Sequence, residues 1–111
     1  MDIRIVRDKI TKAEMEELAK EFYVKMVKGV ADVEREIIAL GGEWHMDGNQ
    51  ILIEDGSKQC DLWGFNVYLA DKKVEYISLI NIRPAQNNRT LEVEDAGIRE
   101  RMYNIINKLV E

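Results

Sequence analysis

Residues 11–42 read TKAEMEELAKEFYVKMVKGVADVEREIIALGG, and how far the helix that starts there runs decides the fold. Thr11 and Glu14 form a T-x-x-E capping box, and Ile10 with Met15 fits the apolar staple that accompanies such a start. From Lys12 onward Met15, Leu18, Phe22, Met26, Val30, Val33, Ile37 and Leu40 recur at three- and four-residue steps, the spacing of a buried helical stripe. Glu16 with Lys20 and Glu21 with Lys25 are favourably oriented i,i+4 pairs on the opposite face. Gly41-Gly42 supplies a stop. The spacing therefore predicts one helix from Lys12 to Leu40. Unbroken, it is about 43 Å long at 1.5 Å per residue, against roughly 34 Å for the breadth of a compact chain of this size. Either Gly29 permits a bend or the apolar stripe overhangs and is covered by a second copy, and a homodimer is the favoured expectation.

Upstream, DIRIVR (residues 2–7) alternates as a short strand with Ile3 and Ile5 inward. Downstream, residues 43–83 read as a meander. A strand over Glu43–Asp47 and a Gly48-Asn49 turn form a hairpin that pairs Met46 with Ile51 and Trp44 with Ile53, leaving His45 opposite Leu52 and Glu43 opposite Glu54. After the turn at Asp55-Gly56-Ser57-Lys58, a strand from Cys60 to Leu69 carries Trp63, Phe65, Val67 and Leu69 on one face. Leu62, Gly64 and Tyr68 lie on the other, so both faces are expected to be covered. A strand over Val74–Arg83 ends at Pro84. Asp95 then caps a last helix whose inward stripe is Ile98, Met102, Ile105 and Leu109. The order β-α-β-β-β-β-α predicts a single α+β domain over residues 1–111, in two layers. Its antiparallel sheet of four to five strands carries the long helix and the C-terminal helix on one face, and apolar residues on the other face offer a second surface for a homodimer.

Composition narrows the function classes. The chain has 111 residues, 46% of them apolar, enough for one core without staples. The single cysteine, Cys60, has no intramolecular disulfide partner, and the opening MDIRIVRDK has no long apolar run, so a cytoplasmic protein is expected. No run approaches the length of a membrane span. The net charge is −5 and the basic residues are scattered among acids, whereas nucleic-acid binding calls for a concentrated basic stripe. Neither nucleic acid nor membrane is an expected partner, and no metal or cofactor is expected.

Polar chemistry concentrates in INIRPAQNNRTLEVED, residues 80–95, which holds the only proline and the polar run Asn81, Arg83, Gln86, Asn87, Asn88, Arg89 and Thr90. Strand counting brings this loop to the sheet edge that also holds residues 41–43, the turn at 54–58, and Asp61. On one reading Arg83 and Arg89 grip a carboxylate or phosphate in forked geometry while the Asn and Gln amides orient it. On the other, the stronger of the two, the arginines neutralise Glu43, Glu54, Asp55 or Asp61, or hold the carbonyls at the C-terminus of the first helix, and the loop ties the fold together. His45 is the only histidine, so a His-rich zinc site is impossible. As a strand residue beside Glu43 and Glu54 it reads as a surface side chain. Cys60 reads as a buried structural cysteine.

EDGSKQCDLWGFNVY (54–68), the 80–95 stretch and IRE (98–100) resemble a small family of prokaryotic proteins with no assigned activity. The positions that carry the resemblance are Asp55, Gly56, Gln59, Asp61, Trp63, Gly64, Arg83, Pro84, Asn88 and Arg89. It covers nearly the whole chain, implies no chemistry, and gives Asn87 a turn role rather than a side-chain role.

The leading expectation is a binding or interaction module, homodimeric, whose loop edge holds a small anionic ligand through Arg83, Asn88, Arg89, Asp55, Gln59 and Asp61. The alternative is a small enzyme with Asp61 or Glu54 as general base and Arg83 and Arg89 binding an anionic substrate.

Overall fold

The computed structural model describes residues 2–111. Along the chain lie β1 (Ile3–Val6), α1 (Lys12–Lys20), β2 (Met26–Asp32), β3 (Ile37–Gly41), α2 (His45–Glu54), β4 (Leu62–Tyr68), β5 (Val74–Glu75) and α3 (Ala96–Leu109). The strands form one antiparallel sheet in the order β1-β3-β2-β4-β5. The expected α+β class with an antiparallel sheet stands, with the N-terminal-half and C-terminal helices sharing a face.

The helix expected over 12–40 ends at Lys20. Its start is as read, since the Thr11 hydroxyl accepts from the Glu14 N–H at 3.1 Å and the Glu14 carboxylate accepts from the Thr11 N–H at 3.0 Å. After it the chain turns at Val24 and forms a β2-β3 hairpin. The β-branched residues Val27, Val30, Ile37 and Ile38 favour this outcome over a helix, as does Gly29. Both strand faces are buried, so no period of two survives to separate a strand from a helical stripe. Gly29 is not a helix bend: a Cβ there would lie 2.3 Å from the Phe65 ring, which lies over it from the neighbouring strand. Gly41 and Gly42 end a strand rather than a helix, with φ of 111° and 87° that side chains rarely adopt. The overhang that called for a second copy is therefore absent, and the molecule measures 38 × 28 × 23 Å.

The hairpin expected over 43–54 is also replaced, here by α2. The Asp47 carboxylate accepts from the Trp44 N–H at 3.2 Å and starts the helix. Gly48, read as a turn, is where α2 lies closest to the sheet; a Cβ there would be 3.3 Å from Val30 and 3.5 Å from Ala39. The roughly 1 kcal/mol that glycine costs inside a helix is offset by this close packing. The strand expected over 74–83 shrinks to Val74–Glu75 and gives way to short 3-10 turns at Leu79–Asn81 and Pro84–Gln86.

Side-chain alternation splits the core. Val27, Ala31, Ile38, Leu40, Trp63, Phe65 and Val67 pack with Met15 and Leu18 of α1 and Met102, Ile105, Ile106 and Leu109 of α3. Val30, Ile37, Ala39 and Leu62 face the other way, against Leu52 of α2. Burial of β4 on both faces is as expected. The ends of the chain are stitched side by side. The Ile10 N–H donates to the Leu109 carbonyl at 2.8 Å, the Glu111 N–H to the Ile10 carbonyl at 3.1 Å, and the Lys12 N–H to the Glu111 carboxylate at 3.0 Å.

Val24 is 63% exposed and held at φ 58° by its N–H bond to the Ala19 carbonyl. A β-branched residue is strained in that left-handed geometry, whereas asparagine tolerates it. Val24→Asn is expected to stabilise the protein by about 1 kcal/mol, read as a rise of several degrees in Tm; an unchanged or lower Tm would contradict the assignment.

Candidate functional site

The 80–95 loop is organised around two buried asparagines. Asn81 is 0% exposed. Its side-chain oxygen accepts from the Gly64 N–H at 2.8 Å, and its Nδ2 donates to the Gly64 and Leu91 carbonyls at 3.1 Å each. One side chain thus pairs with both main-chain groups of a β4 residue, as a neighbouring strand would. Asn88 Nδ2 lies within hydrogen-bond distance of the Asn81, Thr90 and Glu92 carbonyls at 2.7, 3.2 and 2.8 Å, and its Oδ1 accepts from the Glu94 N–H at 2.8 Å. Asn87, at φ 60°, closes the Pro84–Gln86 turn, in keeping with a turn role.

The remaining residues singled out in the sequence do not converge on a shared anion position. Arg83 Nη1 donates to the Gln59 carbonyl at 2.7 Å and to Gln86 Oε1 at 3.0 Å, Nη2 donates to the Leu62 carbonyl, and the guanidinium stacks 3.9 Å above the Trp63 ring. Arg89 is exposed, and its main-chain N–H donates to the Glu94 carboxylate at 2.7 Å. Asp55 binds Arg7 through both oxygens at 2.7 and 2.6 Å and Arg35 at 2.8 Å; these hydrogen bonds hold its carboxyl below the usual range. Arg35 also donates to Ser57 Oγ, which donates in turn to the buried Asp32 carboxylate at 2.6 Å. Gln59 exchanges two amide hydrogen bonds with Asn49 at 2.7 and 2.9 Å, joining α2 to the start of β4. Asp61 receives a long contact from the exposed Cys60 thiol at 3.7 Å, and its main-chain carbonyl accepts from the Val33 N–H. Among the described residues no cluster of histidine, cysteine and acids is suited to a metal ion.

A different place has the character of a binding site. Lys28, Asn66 and Glu75 lie in register across β2, β4 and β5, on the sheet face that carries α2. The helix starts at His45 and leaves this row uncovered, creating a cleft of about 500 Å³. Lys28 and Asn66 line it with the first turn of α2 (Trp44, His45, Met46), the segment Ile77–Ile80, and Leu91. The walls are apolar and open to solvent at the rim: Trp44 is 60% exposed and Leu79 75%.

Four polar features mark the cleft. The Asn66 side-chain oxygen is buried and has no hydrogen-bond partner, while its Nδ2 reaches Glu75 Oε1 at 3.4 Å. That same Glu75 oxygen accepts from the Tyr68 hydroxyl at 2.9 Å. Lys28 stands 5.0 Å from the Tyr23 ring centroid and makes no ion pair within 4.0 Å among the described residues; burial pushes its pKa down, an effect opposed by Glu75. His45 Nε2 lies 2.8 Å from the Phe65 carbonyl, so that nitrogen carries the hydrogen and Nδ1 of the neutral ring is the acceptor. Burial, with a contribution from the positive charge of Lys28, lowers the His45 pKa to about 4.

His45 is thus neither a strand residue nor a surface one, and it belongs with Lys28 and Asn66 rather than with Glu43 and Glu54. Lys28 was hidden by the helical reading of residues 12–40. Asn66 had a usable signal, since it is the polar member of the Leu62, Gly64, Tyr68 face of an otherwise apolar strand.

A family model described as "Protein of unknown function (DUF5674)" matches residues 4–109, and the chain belongs to that family. No curated protein and no solved structure matches the chain. Among the described residues no helix is long and apolar enough to cross a membrane.

Proposed function

We propose that this member of a family of unknown function is a binding module and that its ligand sits in the cleft between the start of α2 and the Ile77–Ile80 segment. The observation that carries this reading is the apolar cleft itself, open at its rim, with Lys28 and Asn66 among the residues that line it. The size and the mix of apolar wall with a few polar groups are those of small-molecule sites. The 80–95 loop, the expected ligand edge, then serves as the buttress that holds one wall in place.

The test is an NMR-detected screen of small aromatic and aliphatic fragments on the labelled protein. Hits are expected to shift the amide signals of residues 44–46, 66 and 77–80, and Leu79→Lys, at an exposed position, is expected to abolish those shifts without lowering Tm. Hits that instead map to residues 83–89 would return the ligand to the loop edge and overturn the assignment.

The exposed Trp44, Met46 and Leu79 side chains also favour a second reading, in which this rim meets the same rim of another copy in a homodimer. Light scattering across a concentration series tests it: a dimer mass that reverts to monomer in Leu79→Lys supports the dimer, and a monomer mass throughout removes it.

A further inference from the structure

We infer that the ligand of this cleft is a small organic acid with an apolar body, its carboxylate held by Lys28 at the N-terminal end of α2. The inference rests on the binding reading above and adds the chemical class.

Three observations converge on an anionic head. Lys28 is a partly buried cation with no ion pair within 4.0 Å among the described residues, Glu75 acting on it only through space. Glu75, two strands away in the same row, already accepts hydrogen bonds from Tyr68 and Asn66. The first turn of α2 forms one wall of the cleft, and a helix N-terminus presents N–H groups without intrahelical partners and the positive end of the helix dipole. His45, beside Lys28, is held neutral by burial and by the positive charge of Lys28, which together outweigh the bond to the Phe65 carbonyl that favours the proton. The cleft therefore offers one full positive charge for one anionic group, not the cluster of cations that a polyphosphate needs.

The rest of the cleft specifies the body. Trp44, Met46, Ile77, Leu79 and Leu91 give an apolar wall that suits an aromatic or branched aliphatic group. A primary amine in place of the acid would set one cation against another in a partly dry site.

A matched series tests the class on the intact protein: phenylacetate, phenylethanol and phenylethylamine, titrated while following the fluorescence of Trp44 at the rim. Phenylacetate is expected to bind about tenfold more tightly than the alcohol, which is the effect of about 1.4 kcal/mol of charge-assisted bonding, and the amine is expected to bind most weakly. Lys28→Met should bring the acid down to the level of the alcohol, while Lys28→Arg should retain most of the preference. Equal binding of acid and alcohol, or a preference for the acid that survives in Lys28→Met, overturns the acid assignment and leaves the cleft reading intact. Failure of all three compounds to bind overturns both. Circular dichroism of each variant verifies that it is folded, and Lys28→Gln replaces Lys28→Met if the latter is not.

Discussion

Replacing Asn81 with leucine is expected to remove about 3–5 kcal/mol of stability, a large share of the 5–15 kcal/mol that holds a typical domain. Leucine is similar in size but leaves the Gly64 N–H and the Gly64 carbonyl without their partner, and takes from the Leu91 carbonyl one of its two donors, the Ser78 N–H remaining. Both Gly64 groups lie inside the protein, where water does not replace the lost bond, and an unpaired buried group costs about 1–3 kcal/mol. Asn81→Asp is expected to be comparably damaging, because a carboxylate still accepts from Gly64 but no longer donates to either carbonyl, and it places a charge at a position with 0% exposure. Arg89→Ala, in the same polar run but on the exposed side, is expected to stay within about 0.5 kcal/mol of the parent. Urea unfolding of the three variants measures this. A loss below about 1 kcal/mol in Asn81→Leu would mean that the asparagine is not the strand substitute described above.

Between pH 6.5 and pH 4 the protein is expected to lose about 3 kcal/mol through His45 alone, at 1.36 kcal/mol per pH unit of pKa displacement. The sign follows from the direction of the shift. The unfolded chain takes up a proton near pH 6.5, whereas the folded chain, with His45 buried, holds off until about pH 4. In that window the unfolded state binds more protons, so stability falls as the pH falls. The carboxylates of Glu14, Asp55 and Glu94 are depressed in the folded state by their hydrogen bonds. Their contributions are present above the ordinary carboxylate pKa and are lost below about pH 4.5, beneath most of the histidine window. His45→Gln keeps an N–H for the Phe65 carbonyl and removes the titration. Denaturant midpoints between pH 6.5 and 4.5 should therefore slope in the parent and be nearly flat in the variant. A flat parent profile, or the same slope in both, would show that His45 is not held neutral.

How much of this was legible in the residues depends on which signal each element carries. The capped start of α1, the buried β4 and the stripe of α3 stand out because apolar spacing and a cap agree. The 12–40 stretch misleads for a physical reason. When both faces of a strand are covered, its alternation vanishes, and Val30, Val33 and Ile37 then fall by coincidence at helical intervals. In α2 the buried positions His45, Gly48, Asn49 and Leu52 do follow helical spacing, but three of the four are not apolar, so a hydrophobic pattern cannot reveal them. The candidate site suffered in turn, since Lys28 and His45 were assigned to the wrong kinds of element. The loop was read only in part: Arg83 does hold main-chain carbonyls, but those of Gln59 and Leu62 rather than of the first helix, and it is Asn81 and Asn88 that tie the loop to β4 and to itself.

The pairing of Ile10 with residues 109–111 has a bearing on how the chain is made. On a ribosome β1 and α1 emerge well before α3, yet some of the groups that hold the entrance to α1 come from residues 109–111. The β1-β3 pairing forms once residue 41 is clear, but the Leu109 carbonyl and the Glu111 carboxylate arrive some seventy residues later. The apolar face of α1 must therefore wait, partly uncovered, for α3. Contacts of such long sequence separation slow closure and extend the time during which apolar surface is exposed, so the exposure of α1 to aggregation is greatest in the interval before α3 is released.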